Sequence, residues 1–163
     1  MIPKGIIVHC SATPNGKSIG DPVKTITKWH TDPPRNWRTI GYHHTIDLNG
    51  EIGVGRGNTE RGAHTAGKHP SLKHWLNETV GICMVGTDKF TGRQWESLRY
   101  CIDALLQIPV YNIKPHQIYC HNQFANKTCP GFSVNQLLAW YLTSDWDAVR
   151  DHLLPNYYQD KIL

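Results

Sequence analysis

The segment Gly5–Cys10 (GIIVHC) places three β-branched residues directly before a histidine and a cysteine. A short apolar run of this kind, rich in Ile and Val, is typical of a buried strand. It is too short for the apolar region of a secretory signal, which takes about 7 to 15 residues. We therefore predict a core strand here, in a protein made in the cytosol without a leader.

Further strands alternate with helices along the chain. A turn at Asn49-Gly50 is typical of a hairpin, and the pairs Thr91/Gln94 and Ser133/Gln136 are typical of helix capping boxes. The predicted strands are 40–48, 51–55, 79–85 and 117–121. The predicted helices are 22–30, 91–107, one that begins at Ser133, and 145–154. This alternation predicts an α/β fold with a central mixed sheet flanked by helices. We expect one domain over residues 1–163, with residues 143–163 as a C-terminal helical extension.

Length and composition are those of an ordinary globular domain. The 163 residues suffice for one substantial core, and 39% are hydrophobic while 18% are charged. No apolar run is long enough to span a bilayer. The net charge of +4 favours anionic surfaces such as cell wall, but the basic residues are scattered. We expect a monomer that neither binds nucleic acid nor inserts stably into a membrane.

Two predicted strands end in a histidine next to a cysteine, His9-Cys10 and Cys120-His121. Neighbouring strand residues point to opposite faces, so if both histidines face one side, both cysteines pack on the other. Cys129 follows on a loop that can bend back toward them. Two imidazoles and one thiolate form a known catalytic zinc set with the fourth position left for water. These residues alone leave metal binding and ordinary packing both open.

The loop around Cys129 carries two more features. Pro130-Gly131 predicts a tight turn that would aim the thiolate. Lys127 lies two residues before Cys129, so its ammonium could meet the oxyanion of a tetrahedral intermediate. The cysteines at the two strand ends allow a different interpretation, a cysteine peptidase whose nucleophile is Cys10 or Cys120. Such an enzyme would keep its activity in the presence of a chelator.

Five segments occur in a fixed order: VHCSAT at 8–13, IGYHHTI at 40–46, RGAHTAGKH at 61–69, VGICMVG at 80–86 and HNQFANKTCPGF at 121–132. This ordered set resembles the zinc-dependent N-acetylmuramoyl-L-alanine amidases, the family shared by phage amidase endolysins and peptidoglycan recognition proteins. The resemblance runs from Ile6 to about Trp140. The single-domain phage endolysins are the most similar members.

The resemblance implies a function and its residues. It implies one catalytic Zn²⁺ held by His9, His121 and Cys129. It implies Tyr42 and Lys127 as the catalytic pair, Tyr42 orienting the attacking water and Lys127 stabilising the oxyanion. The substrate would be peptidoglycan, cut at the amide bond between N-acetylmuramic acid and L-alanine. The enzyme would collect in the bacterial host cytoplasm and act on the cell wall after release. A cytosolic amidase that recycles muropeptides would have the same chemistry, and the sequence leaves that alternative open.

His64 matches a family position that borders the substrate groove, so we expect it to contact substrate. The interval between His64 and Val80 is longer than is common in the family, so loop contacts cannot be carried over. We expect neither His43 nor His44 to be a ligand. Five further histidines are expected to be exposed: His30, His69, His74, His116 and His152. Cys83 and Cys101 are expected in the core, while Trp29, Trp37 and Trp75 could stack on sugar or pack.

Two other functions fit the same resemblance. Some recognition proteins of the family bind peptidoglycan without cutting it, typically when the cysteine ligand is lost, whereas Cys129 is present in this chain. Some phage relatives also inhibit a phage RNA polymerase through contacts away from the zinc, including a longer N-terminal arm. Only eight residues precede His9, which argues against a polymerase partner.

Overall fold

Five strands form the central sheet of the computed structural model, which describes residues 1–143 and 157–158. The strands are β1 (Ile6–Cys10), β2 (His44–Ile46), β3 (Ile52–Val54), β4 (Val80–Met84), β5 (Phe90–Thr91), β6 (Ile118–Cys120) and β7 (Tyr157–Tyr158). The helices are α1 (Pro22–Thr31), α2 (Gly92–Leu106) and α3 (Val134–Leu142). The predicted helix at 145–154 lies outside the described residues.

The sheet is mixed, as predicted, with strand order β3-β2-β4-β1-β6. Strand β1 pairs in parallel with both β4 and β6, β2 pairs in parallel with β4, and β3 is antiparallel to β2. A separate parallel pair joins β5 to β7. Because β1 and β6 are parallel neighbours, their carboxyl ends meet at one edge, which brings His9 close to His121.

The side chains of β1 alternate between the two faces of the sheet. Ile6, Val8 and Cys10 belong to the large apolar core that also contains residues of α2 and α3, and Cys10 is 5% exposed. Cys120 of β6 is fully buried in the same core. The expectation that this cysteine packs as a small hydrophobe is confirmed for Cys120, whereas the Cys10 thiol, although buried, also contacts Cys129 and lines the cleft described below. His9 lies outside this apolar core and contacts the rings of Tyr42, His64 and His121.

The helix starts follow the predicted capping chemistry. The Asp21 side chain accepts from the N–H of Lys24 at 3.1 Å at the start of α1. Thr91 and Gln94 exchange two side chain to backbone hydrogen bonds at the start of α2, and Ser133 with Gln136 does the same for α3. Each cap satisfies amide groups that a helix end leaves without partners. None of the described helices is long and apolar enough to cross a membrane.

All four of the strands predicted after β1 are shorter in the structure, and two of these differences concern the site. Strand β2 begins at His44 and not at Ile40, because Gly41 makes its contacts outside the sheet: its N–H donates to His30 Nδ1 at 2.9 Å. Strand β6 ends at Cys120, and His121 opens a single helical turn in which Phe124 N–H donates to its carbonyl at 3.0 Å. Both shifts concern site residues, since Tyr42 and His121 stand just outside the strands.

The expectation that His30 is exposed is wrong. His30 is 6% exposed because it lies on the inner face of α1, four residues after buried Ile26. Burial lowers the pKa of its imidazole to about 4. His69 and His74 are half-buried, His116 is exposed, and His152 lies outside the described residues. Cys83 and Cys101 are core residues, as predicted.

Candidate active site

Three side chains that could bind one metal ion converge at the carboxyl edge of β1 and β6. His9, His121 and Cys129 each offer one ligand atom, and these atoms all lie within 4.8 Å of one another. His9 is fully buried, and its ring centroid lies 4.4 Å from that of His121. His9 and His121 come from the ends of β1 and β6, whose parallel pairing places them side by side, and Cys129 comes from the loop that follows.

Backbone contacts hold the Cys129 thiol over the end of β1. The N–H of Cys10 donates to Cys129 Sγ at 3.2 Å, and this sulfur lies 4.0 Å from His9 Nδ1. A tight turn follows, in which Gly131 N–H donates to the Thr128 carbonyl at 2.7 Å. Gly131 has φ +93°, and a Cβ there would lie 2.5 Å from Asp88 Cα, so only glycine fits the turn.

The protonation of the three groups suits a metal. Burial, and then the neighbouring imidazole of His64, lower the pKa of His9 well below its ordinary value. Burial and the charge of Lys127 lower the pKa of His121. Both imidazoles are therefore neutral near pH 7, the form that binds metals. The pKa of Cys129 is raised by its hydrogen bond with the Cys10 thiol and by burial, so a metal must displace a proton from this sulfur.

One buried atom lacks a partner that a metal would supply. His121 Nδ1 has no hydrogen-bond partner within the described part of the chain, although it is shielded from solvent. A buried polar atom in this state costs free energy unless a ligand or ion meets it. Other buried side-chain atoms of the described residues are in the same state, so the donor chemistry carries the argument: two imidazoles and one thiol are a set that fits a zinc ion.

His121 and Cys129 line a cleft of about 720 Å³ together with Tyr42 and Lys127, while the fully buried His9 lies next to these two ligands without lining the cleft itself. The ring centroid of Tyr42 lies 5.1 Å from that of His9. Burial raises the pKa of the Tyr42 phenol well above its ordinary value, so the hydroxyl keeps its proton and can donate a hydrogen bond. Lys127 is exposed on the loop, with its side chain at the wall of the cleft.

Comparison with known proteins identifies the family. Residues 1–132 match the family described as N-acetylmuramoyl-L-alanine amidase. The chain belongs to this amidase family. The endolysin of Escherichia phage T7 is 31% identical to the amidase over 139 residues, which cover 80% of this chain and 82% of that relative. The chain is therefore a hydrolase that acts on peptidoglycan.

Solved structures agree with this assignment. The N-acetylmuramoyl-L-alanine amidase LysC from Clostridium intestinale superposes with a TM-score of 0.63 at 25% identity, over 94% of the amidase and 86% of that chain. The recognition protein PGRP-SA of bumblebee has a TM-score of 0.69 at 21% identity, over 87% and 84% of the two chains, and shares the fold. The predicted α/β architecture is confirmed.

His64 of the amidase lies behind the ligand set, with 9% of its surface exposed. Its Nδ1 lies 3.0 Å from His9 Nε2, and the two rings meet edge to face with centroids 5.0 Å apart. It also borders the cleft. The predicted contact of His64 with substrate stays a prediction.

One wall of the cleft is formed by α1 and the loop that follows it, and the sequence did not predict all of its residues. Trp29 and Trp37, named above as candidates to stack on sugar, are 41% and 37% exposed and line the cleft. Between them lie two residues without a predicted role: His30, whose ring centroid is 4.6 Å from Trp37, and Arg35, whose guanidinium is 5.7 Å from the same ring. The helical spacing of Ile26 and His30 was the available signal for the inward position of His30.

Proposed function

We propose that the amidase is a zinc-dependent endolysin that cuts the amide bond between the lactyl group of N-acetylmuramic acid and L-alanine. The observation that carries the proposal is the convergence of ligand atoms of His9, His121 and Cys129 within 4.8 Å, at a cleft that His121 and Cys129 line together with Tyr42 and Lys127. These five residues bring together a metal-binding set, a neutral hydroxyl and a cation.

His9, His121 and Cys129 would hold one zinc ion. The two imidazoles are neutral, and one thiolate cancels part of the metal's charge, which leaves a net positive site. When bound, zinc supplies Lewis acidity, which polarises the scissile carbonyl and eases deprotonation of water. The backbone hydrogen bond from Cys10 to Cys129 Sγ stabilises the anionic sulfur that this site needs.

Tyr42 and Lys127, which both line the cleft, would act on the substrate. The Tyr42 phenol, held protonated by burial, donates a hydrogen bond that orients the attacking water and then the tetrahedral anion. The Lys127 ammonium stabilises the negative charge that develops on the lactyl oxygen. The Tyr42 hydroxyl needs no change of charge before the bond is attacked, which suits a preorganised site.

The wall formed by α1 and its following loop would bind the rest of the substrate. Exposed indole faces at Trp29 and Trp37 are suited to the apolar faces of sugar rings. Arg35 stands over Trp37, where its guanidinium can pair with a carboxylate of the stem peptide. The net charge of +4 favours approach to an anionic wall.

The biological setting follows from the phage relatives. An endolysin would collect in the host cytoplasm and reach the wall only after release. The T7 endolysin and its T3 counterpart, the latter 30% identical over 141 residues, carry that name. The inhibition of a phage RNA polymerase has no support in the structure or the comparisons. A role restricted to peptidoglycan recognition is disfavoured by the presence of Cys129 beside both histidines.

Metal dependence tests the proposal. The protein is stripped with a chelator, dialysed, and assayed for loss of turbidity of purified murein sacculi as zinc is added back. The proposal expects activity to vanish on stripping and to return at one zinc per chain. Magnesium added in the same way serves as the control and should not restore activity, because this donor set suits zinc. Full activity of the stripped protein would refute the zinc site.

A further inference from the structure

We propose that His64 is a positioning residue that holds His9 in the tautomer with hydrogen on Nε2, so that His9 Nδ1 presents its lone pair to the metal. This inference rests on the zinc site proposed above. His64 is a buried histidine outside the ligand set, and its own hydrogen bonds orient its ring.

The hydrogen-bond partners of His64 decide where its proton lies. Its Nε2 lies 3.1 Å from the carbonyl oxygen of Thr79, which can only accept, so Nε2 carries the hydrogen. The ring nitrogens of this buried histidine meet only His9, the Thr65 hydroxyl and the Thr79 carbonyl among the described residues, and no carboxylate is there to hold a second proton on the ring. A neutral imidazole has one N–H, so Nδ1 of His64 is an acceptor.

This acceptor faces His9. His9 Nε2 lies 3.0 Å from His64 Nδ1, and a second lone pair at that distance would repel the first. His9 Nε2 must therefore carry the hydrogen. The Thr65 hydroxyl lies 3.1 Å from His64 Nδ1 and 3.4 Å from His9 Nε2, so it supports the same arrangement by accepting from His9 or donating to His64.

The consequence falls on the other nitrogen of His9. With hydrogen on Nε2, Nδ1 has a free lone pair, and this nitrogen is the one that lies 4.0 Å from Cys129 Sγ. A metal ligand of this kind is oriented by the hydrogen bond that its second nitrogen makes. The metal-free protein would thus hold His9 ready to bind, with no tautomer change.

The fold builds a socket for the His64 ring. A Cβ at Gly81 would lie 2.5 Å from His64 Cδ2, and a Cβ at Gly62 would lie 2.5 Å from the same atom. The ring therefore packs where two glycines leave room. Asn77 fixes the backbone, since its Oδ1 accepts from the N–H groups of both His64 and Thr65 at 2.9 Å. The orientation of the ring is thus set from several sides.

Zinc affinity provides the first test, measured by competition with a chromophoric chelator. His64→Phe keeps a ring but removes the acceptor, and we expect zinc affinity to fall about 10- to 100-fold. His64→Asn places Oδ1 where Nδ1 stood, so we expect it to restore most of that loss. His44→Phe is the matched control, because His44 is a half-buried imidazole whose Nε2 pairs with Asn58 and not with the ligand set. It should leave zinc affinity unchanged.

Nitrogen-15 NMR of the metal-free wild-type protein provides the second test and needs no variant to fold. The proposal expects His9 to show hydrogen on Nε2 and none on Nδ1, and His64→Phe to lose this single form. Hydrogen on His9 Nδ1, or wild-type zinc affinity in His64→Phe, would overturn the inference. A wild-type protein that binds no zinc would instead overturn the proposed function, while the tautomer measurement would still be decisive for His64.

Discussion

The N–H of Cys10 donates to the Sγ of Cys129 at 3.2 Å, although 119 residues separate the two along the chain. This contact ties the loop thiol to the end of the central strand. It places the sulfur on the same side as His9 Nδ1, 4.0 Å away. The position of the third ligand is therefore set by the backbone of β1 as well as by its own loop.

The first prediction concerns Cys129 itself. Cys129→Ala removes one of three ligands, so we expect zinc content near zero and a loss of activity greater than the ~10- to 100-fold typical of residues that only support a ligand. Elemental analysis and the sacculus assay measure both quantities. Cys101→Ala is the control, since Cys101 is a buried thiol of α2 outside the site. Equal zinc content in the two variants would argue against the ligand assignment.

The second prediction separates binding of zinc from turnover. Lys127→Ala removes an exposed ammonium that makes no part of the ligand set, so zinc content should stay at the wild-type level. Loss of oxyanion stabilisation should lower kcat by about 10²- to 10³-fold. Lys114→Ala, another exposed lysine, should change neither value. A wild-type rate in Lys127→Ala would show that the oxyanion role is wrong.

The third prediction concerns the phenol of Tyr42. Tyr42→Phe keeps the ring that lies 5.1 Å from His9 but removes the hydroxyl. We expect unchanged zinc affinity, with kcat lower by about 10²-fold. Steady-state kinetics on a soluble muropeptide would measure this effect. A preserved kcat, with a change in KM alone, would contradict the proposed role.

The fourth prediction concerns the socket of His64. Gly81→Ala would place a Cβ 2.5 Å from His64 Cδ2, so the ring or the strand must shift. Overpacking of this kind costs about 1–3 kcal/mol, so the free energy of unfolding should fall by that amount. Zinc affinity should fall as well, because His9 loses its fixed partner. Gly57→Ala, where the nearest atom would lie at 3.4 Å, should be close to neutral in urea unfolding.

The fifth prediction is a pH dependence of stability. Burial lowers the pKa of His30 to about 4 in the folded state, whereas the unfolded value is near 6.5. Between these values the unfolded chain binds more protons, so the stability contributed above pH 6.5 is lost as the pH falls toward 4. His30→Asn keeps an acceptor for the Gly41 N–H and removes the titration, so urea unfolding of the metal-free variant should depend less steeply on pH. An identical pH profile for both proteins would contradict this.

Local chemistry explains which parts of the fold were predictable. The helix starts at Asp21, Thr91 and Ser133 follow from side chains that cap within three residues, and those patterns are visible in sequence. Cys10 and Cys120 were placed in the core by strand alternation alone. These features depend on short-range geometry.

Tertiary contacts explain what was missed. His30 is buried because α1 packs on the sheet beside Gly41, a contact that spacing within the helix only partly indicates. The partner of His64 is His9, 55 residues away, and no local pattern encodes that hydrogen bond. The family resemblance selected the residues of the site, but the roles of residues behind the ligands depend on contacts that only the fold creates.

The most direct test of the central claim is the identity of the products released from purified murein sacculi, read by mass spectrometry with and without EDTA and after zinc is restored. The account predicts free stem peptides that begin at L-alanine, glycan strands left without peptides, no release in EDTA, and full release once zinc is returned. Cleaved glycan strands with their peptides still attached, or release that persists in EDTA, would contradict zinc-dependent amide hydrolysis at this site.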